Sequence, residues 1–231
     1  MDAWTTTNSV QTADRVSAFL WKVYGWMALG LGLTAMVAFA VAGSPDVQRV
    51  LVGNRLVFFA LVIAQLGLVF YLSARADRLA PGTAAGLFAI YSALTGVTLS
   101  VILLVYTGES VTMTFVVTAG MFGALALFGS TTKRSLAGAG QFFMMGLIGL
   151  ILASIIGMFW HNDALQFLIS VVGVIVFTGL TACDAQRLKQ MALAVPAGQA
   201  GSYAVVGALS LYLNFINLFL MLLRFTGSRR S

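Results

Sequence analysis

Seven apolar runs, each about 20 residues long and set apart by short charged or turn-forming segments, constrain this chain more than any other feature. They lie near Trp21 to Ala42, Leu56 to Leu72, Ala84 to Tyr106, Val111 to Gly129, Phe142 to Trp160, Leu165 to Cys183 and Tyr203 to Phe225. With 60% hydrophobic and only 9% charged residues in a chain of 231, no single water-soluble core can hold that much apolar surface. Lipid must cover the remainder. In hydrocarbon every backbone N–H and C=O must be satisfied internally, which leaves helices or a closed barrel. The runs are continuously apolar and do not alternate with period two, so a barrel is excluded. The expected fold is all-α, a polytopic membrane protein built as a seven-transmembrane-helix bundle. Residues 1–18 form a polar tail, 19–226 the membrane domain and 227–231 a short carboxyl tail.

The spans are bounded by Gly43-Ser44-Pro45-Asp46, Arg75 to Pro81, Gly108-Glu109, Lys133-Arg134, His161-Asn162-Asp163 and Arg187 to Ser202. These segments are read as loops. The net charge of +6 does not point to nucleic acid, because the Lys and Arg residues stand singly or in pairs at the ends of apolar runs. They are membrane-flanking anchors. Arg15, Lys22, Arg75, Arg78, Lys133, Arg134, Arg187 and Lys189 fall on one side when loops alternate, and Arg49 and Arg55 on the other. The richer side is expected to be cytoplasmic, with the amino terminus there. Arg224, Arg229 and Arg230 run against this rule, and a re-entrant last segment would bring them back. The first 18 residues are too polar for a cleavable signal peptide. Small residues four apart, Ala28 and Gly32, Ala119 and Gly123, Gly120 and Ala124, suit close helix contact.

Ionisable and amide groups are costly inside a bilayer, so the residues that break the apolar runs carry the information. Asp184 ends the sixth span, with Thr178 and Thr181 preceding it at spacings of three. The structural alternative is a helix-end pair with Arg187. The seventh span carries Ser210, Asn214 and Asn217 at spacings of four and three, and an amide there also serves as interhelical glue. The third span adds Ser92, Thr95 and Thr98, hydroxyls that line a polar path or else bond to their own backbone.

Enzyme chemistry is not assembled. No helical His-Glu zinc pair, no Gly-x-Ser-x-Gly elbow with a histidine to activate it, and no phosphate-cradling loop followed by Lys occurs. His161, the sole histidine, and Glu109 read as solvated loop residues, and Cys183, the sole cysteine, as a buried inert thiol. No resident cofactor is expected.

Four segments carry a family pattern: Arg15-Val-Ser-Ala-Phe-Leu-Trp-Lys-Val-Tyr-Gly-Trp-Met-Ala-Leu-Gly-Leu, Tyr91-Ser-Ala-Leu-Thr-Gly-Val-Thr-Leu-Ser, Phe177-Thr-Gly-Leu-Thr-Ala-Cys-Asp-Ala-Gln, and Gly207-Ala-Leu-Ser-Leu-Tyr-Leu-Asn-Phe-Ile-Asn-Leu-Phe. In these the chain resembles the transmembrane Bax inhibitor motif family, specifically its bacterial members, over nearly its whole length. The resemblance implies seven helices in the bacterial inner membrane and a calcium leak that responds to pH, calcium being the permeant ion. It also implies a sensor made of two aspartates, one closing the sixth helix and one within the seventh, with an arginine near the end of the second helix that locks the closed state. Asp184 matches the first aspartate. Arg75, or Arg78 close by, is the candidate latch. Where the family reads Leu-Tyr-Leu-Asp-Phe-Ile-Asn, this chain has Leu211-Tyr-Leu-Asn214-Phe-Ile-Asn217.

That departure touches the mechanism the resemblance implies. Two adjacent carboxylates titrate as a coupled unit, whereas an amide cannot ionise. One carboxylate, an amide oxygen, hydroxyls and water make at best a weak, transient calcium site at Asp184, which suits conduction better than storage. A different class of function remains open: a non-conducting membrane regulator that binds a membrane quality-control protease or stress-response partner through residues 1–17.

Overall fold

The computed structural model describes residues 3–160 and 162–230. His161, expected to be solvated, therefore lies outside the described residues, as do Met1 and Asp2 of the polar tail. The chain is all-α. Its helices are α1 (Ala3–Ala42), α2 (Pro45–Gly53), α3 (Arg55–Ala74), α4 (Pro81–Val105), α5 (Gly108–Thr131), α6 (Ala137–Phe159), α7 (Asp163–Ala194) and α8 (Ala200–Thr226), with a 3-10 turn at Ala197–Gln199. Among the described residues, all but α2 are long and apolar enough to cross a membrane, giving 7 spans. At about 1.5 Å per residue, even the 20-residue α3 reaches the roughly 30 Å of a hydrocarbon core.

The helices depart from the sequence reading at their ends. Pro45-Asp46 opens the nine-residue helix α2, with Pro at the first turn where its missing N–H costs nothing. The polar tail from Ala3 onward is continuous with the first span in α1. Asp184 does not end the sixth span, because α7 runs on to Ala194. Ala185, Leu188, Ala192 and Val195 are all buried, so an apolar face at helical spacing sustains that polar extension.

Two compact units are formed, Met1–Val105 with Leu188–Tyr212, and Tyr106–Arg187 with Leu213–Ser231. In the first, α1 packs along α4. Gly30 makes the approach possible: a Cβ there would lie 2.5 Å from Phe88 Cζ and 3.0 Å from Ser92 Oγ. Thr34 then donates its hydroxyl to the Ser92 carbonyl at 2.9 Å and shares a 2.6 Å hydrogen bond with the fully buried Tyr212 hydroxyl. Phe88 and Tyr91 meet the Tyr212 ring edge-on at centroid distances of 5.6 and 5.8 Å.

In the second unit, Leu150 of α6, Ile169, Val176, Phe177 and Leu180 of α7, and Leu218 of α8 form the core. Phe215 of α8 stacks edge-on with Phe115 and Phe122 of α5 at 5.3 and 5.6 Å. The backbones of α5 and α7 touch where a Cβ on Gly129 would fall on the Ala182 carbonyl. Among the described residues, Gly32, Gly120 and Gly123 have nothing within 4 Å of an added Cβ, so the four-residue small-residue spacing marks open surface there and not the contacts expected of it.

The carboxyl end is strapped to the turn before α5. Tyr106 and Arg229 form an antiparallel bridge, Thr107 N–H donates to the Ser228 carbonyl at 3.1 Å, and Ser228 N–H donates to Ser110 Oγ at 3.0 Å. The last helix therefore ends at the α4–α5 turn, the far end of α5 from Lys133 and Arg134. A re-entrant last segment is not formed.

Candidate functional site

The candidate site lies where α7 and α8 run together in the second unit. Asn214, only 6% exposed, donates its side-chain N–H to Asp184 Oδ2 at 2.8 Å. Asp184 is half-buried. A carboxylate accepting from an amide is charge-assisted, hence stronger than a neutral pair. The direction of donation matters chemically. An ionised aspartate at 214 would have no hydrogen to offer, whereas the amide donates at every pH. Asp184 with Asn214 therefore has the hydrogen-bonding capacity of a carboxylate pair that holds one proton permanently.

Other polar candidates are engaged locally. Thr181, fully buried, donates to its own helix at the Phe177 carbonyl, 2.7 Å away, and Asn217 donates to the Leu213 carbonyl at 2.8 Å. The Thr178 hydroxyl is buried with no hydrogen-bond partner among the described residues. Three-residue steps on a 3.6-residue helix drift around its axis, so Thr178 sits about 120° from Asp184. In the first unit, Thr95 donates to the Tyr91 carbonyl at 2.9 Å and Thr98 to the Thr95 carbonyl at 2.9 Å. Thr98 also accepts from Gln65 of α3 at 3.3 Å. Ser92 is fully buried and Ser210 half-buried.

Arg75 caps the carboxyl end of α3 through its backbone N–H to the Tyr71 carbonyl, and its guanidinium stands 6.0 Å from the Tyr71 ring centroid. Arg78 pairs with the neighbouring Asp77 at 3.6 Å, both side chains being well exposed. Both arginines belong to the first unit. Glu109 is exposed in the first turn of α5, where its charge suits the helix N-terminus. Among the described residues, no three of His, Cys, Asp or Glu converge as metal ligands.

One participant was not read from the sequence. Gln186 accepts from the Leu136 N–H at 2.7 Å and donates to the Arg134 carbonyl at 2.8 Å, tying α7 to the α5–α6 turn. Half-buried Cys183 adds a weak contact, its Sγ 3.7 Å from the Leu136 carbonyl oxygen. The signal available was Gln186 itself, an amide between the apolar run that ends at Cys183 and the loop read from Arg187.

Comparison with known proteins places this arrangement in context. Residues 16–231 match the family model described as inhibitor of apoptosis-promoting Bax1. The chain is 49% identical over 234 residues to Inner membrane protein YbhL of Escherichia coli (strain K12), covering 100% of both. It is 44% identical over 215 residues to an uncharacterized protein of Borreliella burgdorferi, covering 92% of this chain and 93% of that one. An uncharacterized protein of Deinococcus radiodurans is 42% identical over 220 residues, covering 95% and 94%.

Proposed function

Because the chain belongs to the Bax inhibitor family, we propose that this multi-pass membrane protein is a calcium leak whose pH response is altered by the Asp184–Asn214 pair. The observation that carries the reading is the 2.8 Å hydrogen bond from the Asn214 amide to an ionisable carboxylate within a membrane-crossing helix. Such a group is expensive in a bilayer and usually marks an ion or proton path. Asp184 supplies the negative charge that draws a divalent cation in. The Asn214 amide neutralises none of that charge, and its oxygen is a further hard ligand. A site this poor in carboxylates holds calcium weakly, which permits transit.

The pH response follows from the same pair. Two facing carboxylates exchange one proton cooperatively, whereas one carboxylate facing an amide has no second charge to couple to. We place the protein in the bacterial inner membrane with the amino terminus cytoplasmic, following the positive charges of the alternate loops. Arg75 is the proposed latch, and the protein acts without a resident cofactor and without catalysis.

Calcium flux from proteoliposomes measured across pH tests this. Asp184→Ala should cut flux at least fivefold, and Asn214→Asp should steepen the pH profile by restoring a coupled pair. Undiminished flux in Asp184→Ala would falsify the assigned role, and an unchanged profile in Asn214→Asp removes the sensor argument.

A further inference from the structure

Helix α6 starts with only a long local contact, Ala137 N–H donating to Ser135 Oγ at 3.4 Å. Leu136 occupies its N-cap position and makes no side-chain hydrogen bond. Three residues on, Ala139 has no polar atoms to reach back to the Leu136 N–H, as a Glu or Gln does in a capping box. The reciprocal partner comes instead from Gln186, 50 residues away in sequence and 9% exposed. Its carbonyl oxygen takes the Leu136 N–H and its amide takes the Arg134 carbonyl, so the side chain bonds to the turn as a strand of backbone would.

Gln186 stands two residues beyond Asp184, about 200° around the helix. The two side chains leave opposite sides of α7, one toward the α5–α6 turn and the other toward Asn214 of α8. On the Gln186 side, one turn earlier and about 40° around the helix, the Ala182 backbone lies against α5 at Gly129, where no side chain intervenes. Turning α7 by one residue step, about 100°, or sliding it by about 1.5 Å breaks both bonds of Gln186.

We propose that Gln186 is a positioning residue: by latching α7 to the α5–α6 turn it fixes the rotation of α7, and so aims the Asp184 carboxylate at Asn214. The structural half stands alone, and its consequence for ion flux rests on the reading of Asp184 given above. The turn it holds carries Lys133 and Arg134, both exposed, so whatever displaces that basic turn acts on α7 through the Gln186 amide and the weaker Cys183 contact.

Cys183, the only cysteine of the chain, contacts the latched turn and reports on it directly. The experiment labels Cys183 with a membrane-permeant maleimide in full-length protein reconstituted in phosphatidylcholine–phosphatidylglycerol vesicles. Gln186→Ala should be labelled about tenfold faster than the parent, two hydrogen bonds having been lost. Gln186→Glu keeps the acceptor for Leu136 N–H and loses the donor to Arg134, so it should fall between them. Asn162→Ala, which uncaps the opposite end of α7, should leave labelling unchanged. Equal rates for the parent and both Gln186 variants overturn the latch, and the Glu variant decides the matter where the Ala variant does not fold. Calcium flux across pH is then read on the same vesicles. If the parent conducts, a shifted pH profile in Gln186→Ala supports the positioning role, and faster labelling with an unchanged profile refutes it. If the parent does not conduct, the leak reading fails while the labelling result still judges the latch.

Discussion

The hydrogen bond between Asp184 and Asn214 should be measurable as a coupling energy, and its size separates a functional contact from a coincidence of packing. Asn214→Leu replaces the amide by an apolar group of similar volume and leaves the carboxylate without this donor. A hydrogen bond to a charged group is worth about 1.5–3 kcal/mol in water-soluble proteins. Between membrane helices the measured range is lower, averaging about 0.6 and reaching about 1.7 kcal/mol, because the unfolded helices find other partners. The 2.8 Å distance, the charge on the acceptor and the 6% exposure of Asn214 place this bond at the upper end, about 1.5 kcal/mol.

A double-mutant cycle isolates it. Asn214→Leu, Asp184→Leu and the double variant would be unfolded reversibly by titrating sodium dodecyl sulfate into dodecylmaltoside micelles, followed by far-ultraviolet circular dichroism. Asn214→Leu and Asp184→Leu should each destabilise, since each removes one partner of the hydrogen bond. The double variant should recover about 1.5 kcal/mol of the summed cost, roughly a tenfold difference in the unfolding equilibrium. A coupling below about 0.4 kcal/mol is indistinguishable from additivity and would refute the claim that the two groups form a unit.

Three further outcomes follow from the packing. Gly30→Ala should destabilise by about 1–3 kcal/mol in the same assay, because its Cβ meets Phe88 at 2.5 Å, whereas Gly120→Ala, with nothing within 4 Å, should be neutral or slightly stabilising. Tyr212→Phe removes the hydroxyl bonded to Thr34 and should lower the melting temperature by about 2–4 °C for a loss near 1 kcal/mol, while Tyr71→Phe, 47% exposed, should not. Ser110→Ala deletes the acceptor for Ser228 N–H, so carboxypeptidase trimming of the last residues, followed by mass spectrometry, should accelerate about fivefold. Equal trimming rates would mean that the strap does not hold the tail.

The spans were legible because hydrocarbon accepts only one kind of unpaired segment, a helix whose apolar length matches the membrane. Mean hydropathy is the wrong instrument for helices that leave the apolar layer, and this is where the sequence reading fell short. Beyond Asp184 the chain is no longer apolar on average, yet Ala185, Leu188 and Ala192 recur at three and four and stay buried, so α7 continues. Helix α2 was hidden by its own opening residues, since Pro45-Asp46 after Gly43-Ser44 fits a turn as well as a helix start. The small-residue pairs misled for a related reason: spacing identifies a face of a helix but not what that face meets. Gly32 and Gly30 lie two residues apart on α1, and only Gly30 is pressed against a neighbour.

For the site, the sequence supplied the identities and the fold supplied the direction of donation. Asp184 and Asn214 were recognisable as polar exceptions in apolar runs, but an amide in a membrane helix is equally able to bond its own backbone, as Asn217 does to Leu213. The two asparagines differ by three positions on one helix, and helical spacing alone offers no reason to rank them; only the family resemblance singled out Asn214. What separates them is the partner: Asn217 meets a carbonyl that four-residue helix geometry already places within reach, whereas Asn214 meets a carboxylate brought by another helix. The first hydrogen bond survives any rearrangement that keeps α8 helical. The second survives only while α7 keeps its rotation, and that is the dependence through which a signal at the α5–α6 turn can reach the charge.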